Sequence, residues 1–204
     1  MSPKPTAKPR ARPRRGAPAE TRARLVAAAA ATCIRTGYHG TDSNRIARAA
    51  GYAAGTFYKH FADKREILLA AYEAWVTSEW SEVERELAGG GAPAAVAERI
   101  LAHVLRHHVR WRGLRRALAE LVAEDASARR FHREQRRRQL DLLAALRRRA
   151  GAPARERERD AVDLFAMERT CDAVANGEVR ELRLDRGRVL EELRARIEAS
   201  IRGV

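Results

Sequence analysis

The sequence predicts an all-α protein of about nine helices, with a compact three-helix unit near the N-terminus and a larger helical domain after it. Three observations carry this. Ala, Leu, Arg and Glu dominate while aromatics make up 5%, which is a composition of good helix formers. Apolar residues recur at spacings of three and four along almost the whole chain, the period of a helix with one buried face. Glycine and proline stand between these runs, and no stretch alternates as a half-buried strand would. At 204 residues, 45% of them hydrophobic, the chain is long enough to bury a sizeable core.

Residues 1–19 hold five of the seven prolines, six Lys/Arg and no acid. Such a segment cannot bury a core, so a disordered basic arm is expected, either tracking phosphates or merely solubilising. The first helix is expected over Glu20 to Thr36, with Leu25, Ala29 and Cys33 inward. Ser43 is read as the N-cap of a second helix, Asn44 to Ala50, that places Ile46, Ala47 and Ala50 on one face and stops at Gly51. A third helix runs from about Ala53 to His60 with Phe57 inward, and Asp63 caps the next. Helix, glycine turn, helix is the helix-turn-helix arrangement, whose second helix enters the major groove of DNA. Pattern alone leaves a generic helical hairpin open.

From Asp63 to Leu87 a long helix carries Leu68, Tyr72, Val76, Trp80, Val83 and Leu87 on one stripe and connects the two domains. Pro93 opens a helix to Trp111, and Arg112 to Asp125 is read as a separate one. His103 and His107 have metal-ligand spacing, but nothing nearby completes a set, so no metal is expected. Ser127 to Ala150 is next, with Phe131, Leu142, Leu143 and Leu146 inward and Gln135 and Gln139 on the same arc. Those amides bond neighbouring groups or face a bound molecule. Pro153 is read at a helix start. Ala161 to Asn176 is apolar on two sides: Val162, Phe165, Ala166 and Ala173 on one, Leu164, Met167, Cys171 and Val174 on the other. Glu178 to Asp185 is read as a charged connector, and Gly187 to Arg202 as the last helix, with Val189, Leu190, Leu193, Ile197 and Ile201 aligned.

Thr41, Ile46, Ala47, Ala50, Gly51, Gly55, Thr56, Tyr58, Phe61, Lys64 and Leu68 together resemble the DNA-binding domain of TetR-family transcriptional regulators, over roughly residues 20 to 70. The resemblance implies a helix-turn-helix DNA-binding domain at 20–66 and a helical regulatory and dimerisation domain at 67–204. It implies a homodimer on a palindromic double-stranded operator, a repressor more than an activator, released by a small-molecule effector. Carried over residue by residue, Thr41, Thr56, Tyr58, His60 and Lys64 touch phosphates, and Arg45 with the start of the second motif helix faces base edges. Ser43, Gly55 and Lys59 complete the expected DNA set. Ala53 and Ala54 depart from the polar pair common there, which leaves direct readout thin. The dimer interface is expected from Leu164, Met167, Cys171, Val174, Leu190, Leu193, Ile197 and Ile201. The ligand pocket is expected from His107, His108, Trp111, Phe131, Gln135, Gln139 and Phe165. These suit an apolar or aromatic molecule with hydrogen-bonding groups, and the imidazoles suit a weak acid.

The charge distribution agrees with a polyanion partner at the N-terminal end. Of the net +14, residues 1–19 carry +6, residues 20–65 carry +5 and the remaining 139 only +3. Two cysteines, both in helical patterns, fit a reduced cytoplasm rather than a disulfide scaffold. Arg14-Arg15 followed by an alanine-rich run to Cys33 mimics an export signal, but Glu20, Arg22 and Arg24 interrupt it. No run reaches membrane-spanning length, no catalytic set or cofactor motif is visible, and no cofactor is expected. The rival reading from the same fold is a ligand-independent, nucleoid-associated architectural DNA binder.

Overall fold

The computed structural model describes residues 17–149 and 151–203. Among the described residues there are nine helices and no strand: α1 (Pro18–Thr36), α2 (Ser43–Ala49), α3 (Ala54–Tyr58), α4 (Lys64–Ala88), α5 (Pro93–Glu124), α6 (Ala126–Arg149), α7 (Arg157–Asn176), α8 (Glu178–Glu181) and α9 (Arg186–Arg202). The number agrees with the sequence expectation through two compensating differences. Residues 93–124 form one unbroken helix, where two were expected. The charged connector 178–185 contains the short α8, whose Val179 is buried.

Two apolar clusters organise the chain. Leu25 and Ala29 of α1, Ile46 and Ala47 of α2, Phe57, Phe61 and Ile67 form the first. Ala30 and Cys33 of α1 turn instead to the second, larger cluster with Leu68, Tyr72, Trp75, Val76 and the inward residues of α5, α7 and α9. Helices α1 and α4 therefore have one side in each cluster, and the N-terminal unit is seated on the C-terminal helices rather than tethered to them. At Gly113 of α5 an added Cβ would lie 2.6 Å from Ile34 Cα and 2.7 Å from Ile34 O. The missing side chain lets the backbones of α1 and α5 touch, which explains a glycine inside a 32-residue helix. A second tie joins the domains: Arg65 at the start of α4 donates to Asp125 at 3.0 Å. Asp125 also accepts from the Ala128 amide at 2.7 Å, capping α6.

Several boundaries move by a physical cause. The N-cap of α2 is Asp42, not Ser43: its carboxylate accepts from the Arg45 amide at 2.8 Å, while Ser43 is already helical. Both residue types cap well, and the backbone turns one residue earlier. Asp63 caps α4 through the Glu66 amide at 2.8 Å. Helix α1 begins at Pro18, a proline in the first turn, so Pro18 and Ala19 belong to the helix and not to the arm. The rest of the arm, residues 1–16, lies outside the described residues. Pro153 does not open a helix; α7 starts at Arg157.

Candidate DNA interface and effector cavity

The helix-turn-helix is built by α2 and α3. Gly51 sits between them at φ +82°, a left-handed conformation that an L side chain rarely adopts, and the Tyr52 amide returns to the Ala47 carbonyl at 2.9 Å. Phe57 anchors α3 with no exposed surface. That burial turns Ala53, Ala54, Gly55, Tyr58 and Lys59 outward, with Tyr58 59% exposed. Arg45 is exposed on α2, and its guanidinium is held by the Gly40 carbonyl at 2.6 Å. Thr56, His60 and Ser43 are half-buried at the rim of this face.

Two of the expected phosphate contacts also make bonds within the motif. Thr41 is buried, and its hydroxyl donates to the Gly37 carbonyl at 2.7 Å and lies 3.0 Å from the Thr36 hydroxyl. It holds the turn between α1 and α2. The Lys64 ammonium lies 3.2 Å from both the Tyr38 and Thr41 carbonyls and 4.2 Å from the Tyr38 ring centre. It is half-buried and ties the same turn to α4. A main chain lacking its own partners draws the polar atoms of both residues to itself.

In the C-terminal domain α4, α5, α6, α7 and α9 surround a cavity of about 210 Å³. Its wall is mostly apolar, with Trp80, Val83, Ile100, Val104, Leu193 and Ile197 among the lining residues. Glu79, His108 and Glu168 line it too, as do Arg147, Asp160, Asp163 and Arg196. Of the seven residues expected in a pocket, only His108 lines it. Gln135 faces Glu73 across 3.5 Å, and Gln139 accepts from Arg136 at 3.1 Å, so the protein itself satisfies these buried amides. Phe131 packs edge-on against Tyr72 at 6.2 Å. His107 is stacked on His103, ring centres 4.4 Å apart. Trp111 lines a shallow groove with Val26, Ala30 and Trp75, and Phe165 is 52% exposed on the outside of α7.

The residue missed by sequence is Glu79. It lies 6% exposed, four positions after Trp75 and four before Val83, on the stripe that α4 buries. A lone acid on an otherwise apolar arc was the available signal. Burial pushes its carboxyl up to about 8, against the pull of Arg115. Nearby, Arg115 grips Asp172 with two hydrogen bonds of 2.6 Å, and Arg136 pairs with Glu168. His108 Nδ1 lies 2.9 Å from Asp172 Oδ1. Burial opposes ionisation of Asp172, but the bonds from His108 and Arg115 bring it down to about 2, so it is an acceptor only. Burial lowers the His108 imidazole, keeping it neutral near pH 7 despite Asp172. Nδ1–H then faces Asp172, and Nε2 is a bare acceptor. An imidazolium suited to a weak acid is therefore not what this wall offers.

The dimer residues also divide. Leu164, Cys171, Leu193 and Ile197 are buried within the monomer core, and Met167, Val174, Leu190 and Ile201 are half-buried. Of the two apolar sides of α7 that the sequence offers, the one expected at a dimer interface packs within the monomer, while Val162 and Phe165 on the other are 57% and 52% exposed. Intramolecular packing against α5 and α9 takes the Leu164–Cys171 side.

The fold and the exposed motif define a helix-turn-helix protein with a helical second domain. Residues 25–71 match the family model of bacterial regulatory proteins, tetR family. The HTH-type transcriptional regulator AcrR of Shigella flexneri is 34% identical over 107 residues, 50% of this chain and 48% of that one, so the chain spans about half the length of this curated relative. A transcriptional regulator of the TetR/AcrR family from Thermobifida fusca superimposes with a TM-score of 0.58 at 18% identity, over 88% of this chain and 97% of that one. FadR of Bacillus subtilis, solved in complex with stearoyl-CoA, gives 0.62 at 15% identity, over 89% and 98%. Residues 25–71 thus match the tetR family in sequence, and the fold as a whole is the one these solved regulators share. Among the described residues no helix is long and apolar enough to cross a membrane.

Proposed function

We propose that this protein is a DNA-binding transcriptional regulator that acts as a homodimer and releases its operator when a small molecule occupies the α4–α9 cavity. The observation that carries the reading is the exposed face of the helix-turn-helix, in the segment that matches the family, on the end of the chain that holds most of the positive charge. Arg45, Tyr58 and Lys59 project from it, with Ser43, Gly55, Thr56 and His60 around them. One such face reads one half-site, so a two-fold dimer would place two faces about one helical turn apart or a multiple of it. Val162 and Phe165 outside α7, with the outer side of α9, are the surface we assign to that dimer.

The cavity supports the effector half of the reading. Glu79 on its wall belongs to α4, whose first turn carries Arg65 and Lys64. His108 on the same wall belongs to α5, five residues before the Gly113 contact with α1, about 7.5 Å along the axis. A molecule that separates α4 from α5 would shift both supports of the reader. In FadR of Bacillus subtilis a related fold holds stearoyl-CoA. By linkage, operator DNA must weaken effector affinity by the factor that effector weakens operator affinity. The test is genome-wide occupancy in the native host. A few discrete sites with two-fold symmetric sequences are expected, and broad occupancy would favour an architectural protein instead.

A further inference from the structure

Glu79 on the cavity wall lies among two further carboxylates, Glu168 and Asp172, and two arginines, Arg115 and Arg136. Arg115 is committed to Asp172 by two bonds, and Arg136 to Glu168. Glu79 is the carboxylate left over: among the described residues its Oε1 has no hydrogen-bond partner, and its nearest basic group is the neutral His108, Nε2 at 3.8 Å. The other acids on the wall are matched, Asp160 by Arg147 at 2.6 Å and Asp163 by Arg155 at 2.6 Å. The cavity wall thus carries an unpartnered Glu79 carboxyl oxygen 3.8 Å from the bare imidazole nitrogen of His108, two adjacent acceptors once Glu79 loses its proton, with apolar lining residues around them. A buried polar atom without a partner costs about 1–3 kcal/mol, which an incoming donor recovers.

We propose that the cavity takes a hydrophobic amine, whose ammonium bridges Glu79 and His108 while its apolar body lies against Val83, Ile100, Val104, Leu193 and Ile197. The 3.8 Å gap between the two acceptors is one that a single nitrogen spans with a bond of about 2.8–3.0 Å to each. The volume, about 210 Å³, far exceeds the roughly 10–15 Å³ that one water needs. This inference rests on the effector reading above and narrows it to one charge class.

Proton balance gives a signature. Below pH 8 the Glu79 carboxyl is protonated, so a bound ammonium displaces that proton to solvent. The shifted groups facing it are moved away from the range in which Glu79 titrates. From α5, His108 is lowered and Arg115 raised; from α6, Arg136 is raised; from α7, Asp172 is lowered to about 2 and the Cys171 thiol is raised to about 12. Glu168, also on α7, is paired with Arg136. An alkylammonium, like lysine with a pKa of about 10.4, stays charged across that range. Affinity for an amine should therefore rise with pH, by up to tenfold per unit until about pH 8.

The experiment is calorimetric titration of the full chain with octylamine, octanol and octanoate, at pH 6.5 and 8, on the wild type and Glu79→Gln. Octylamine should bind at least tenfold tighter than the other two at pH 8. Its binding at pH 6.5 should release about one proton, read from buffers of different ionisation enthalpy. Glu79→Gln should weaken octylamine at least tenfold and leave octanol within twofold. Binding of all three with no preference for the amine, or an unchanged octylamine affinity in Glu79→Gln, refutes the inference and leaves the cavity reading standing. Binding of none removes the cavity reading itself. If Glu79→Gln fails to fold, proton release by the wild type decides.

Discussion

Gly113→Ala isolates the contact on which the proposed coupling of reader and cavity would depend. The added Cβ would meet Ile34 Cα at 2.6 Å, Ile34 O at 2.7 Å and Ile34 C at 3.0 Å. Carbon atoms in contact prefer about 3.5–4.0 Å, so α1 and α5 must part by about 1 Å at this point. The atoms met are backbone, so no rotamer change relieves them. Overpacking of this kind costs about 1–3 kcal/mol. Against it, alanine in a helix interior is favoured over glycine by about 1 kcal/mol. The expected net destabilisation is about 0–2 kcal/mol, which for a chain of this size lowers Tm by roughly 0–8 °C. Gly55→Ala is the control: nothing lies within 4 Å of its added Cβ, and stability should be unchanged or rise by up to about 1 kcal/mol. DNA affinity of Gly113→Ala should fall beyond what the unfolded fraction explains, because α1 carries the reader's core residues Leu25 and Ala29. Thermal melts with anisotropy titration on a DNA fragment selected by the wild type measure both. A Gly113→Ala protein with a raised Tm and wild-type affinity would show that the close α1–α5 approach does not position the reader.

Other substitutions test separate parts. Lys64→Met should cost about 1–3 kcal/mol by denaturant midpoint, because it frees the Tyr38 and Thr41 carbonyls and loses the tyrosine ring; unchanged stability with a salt slope shallower by about one would restore a phosphate role. Phe165→Glu should give a monomer by light scattering with little change in Tm, since the side chain is 52% exposed, and unchanged dimer mass would place the interface elsewhere. Stability should peak near pH 6.5. Burial lowers His103, His107 (to about 4), His108 and His132, so the unfolded chain takes up more protons and stability falls as pH drops below about 6.5. Burial raises Glu79 to about 8, so the folded chain holds the extra proton and stability falls as pH rises toward 8. Glu79→Gln should flatten the alkaline side and steepen the acid side, since a carboxyl moved from 4.5 to about 8 acts across that whole span, in a series of melts from pH 5 to 9; equal slopes in the two proteins would remove Glu79 from this account.

The local code was legible in the sequence wherever one residue type has a single physical solution. Gly51 at φ +82°, Asp63 as a cap, Pro93 in a first turn and the inward stripes of α1 and α4 follow from backbone freedom, capping chemistry and helical period. The positively charged reader could be placed for the same reason, since its exposed residues are set by the burial of Ile46, Ala47 and Phe57. What periodicity does not encode is which neighbour covers a face. The two apolar sides of α7 are equivalent until α5 and α9 take one of them, and only the packed structure shows that Leu164 and Cys171 go inward while Phe165 stays out. The glutamines of α6 looked like ligand handles because their partners, Glu73 and Arg136, lie on another helix or in another turn. Glu79 gained its character the same way. Alone on α4 it is one acid among several; the two arginines that neutralise Asp172 and Glu168 leave it unmatched, and that imbalance exists only where α4, α5, α6 and α7 converge.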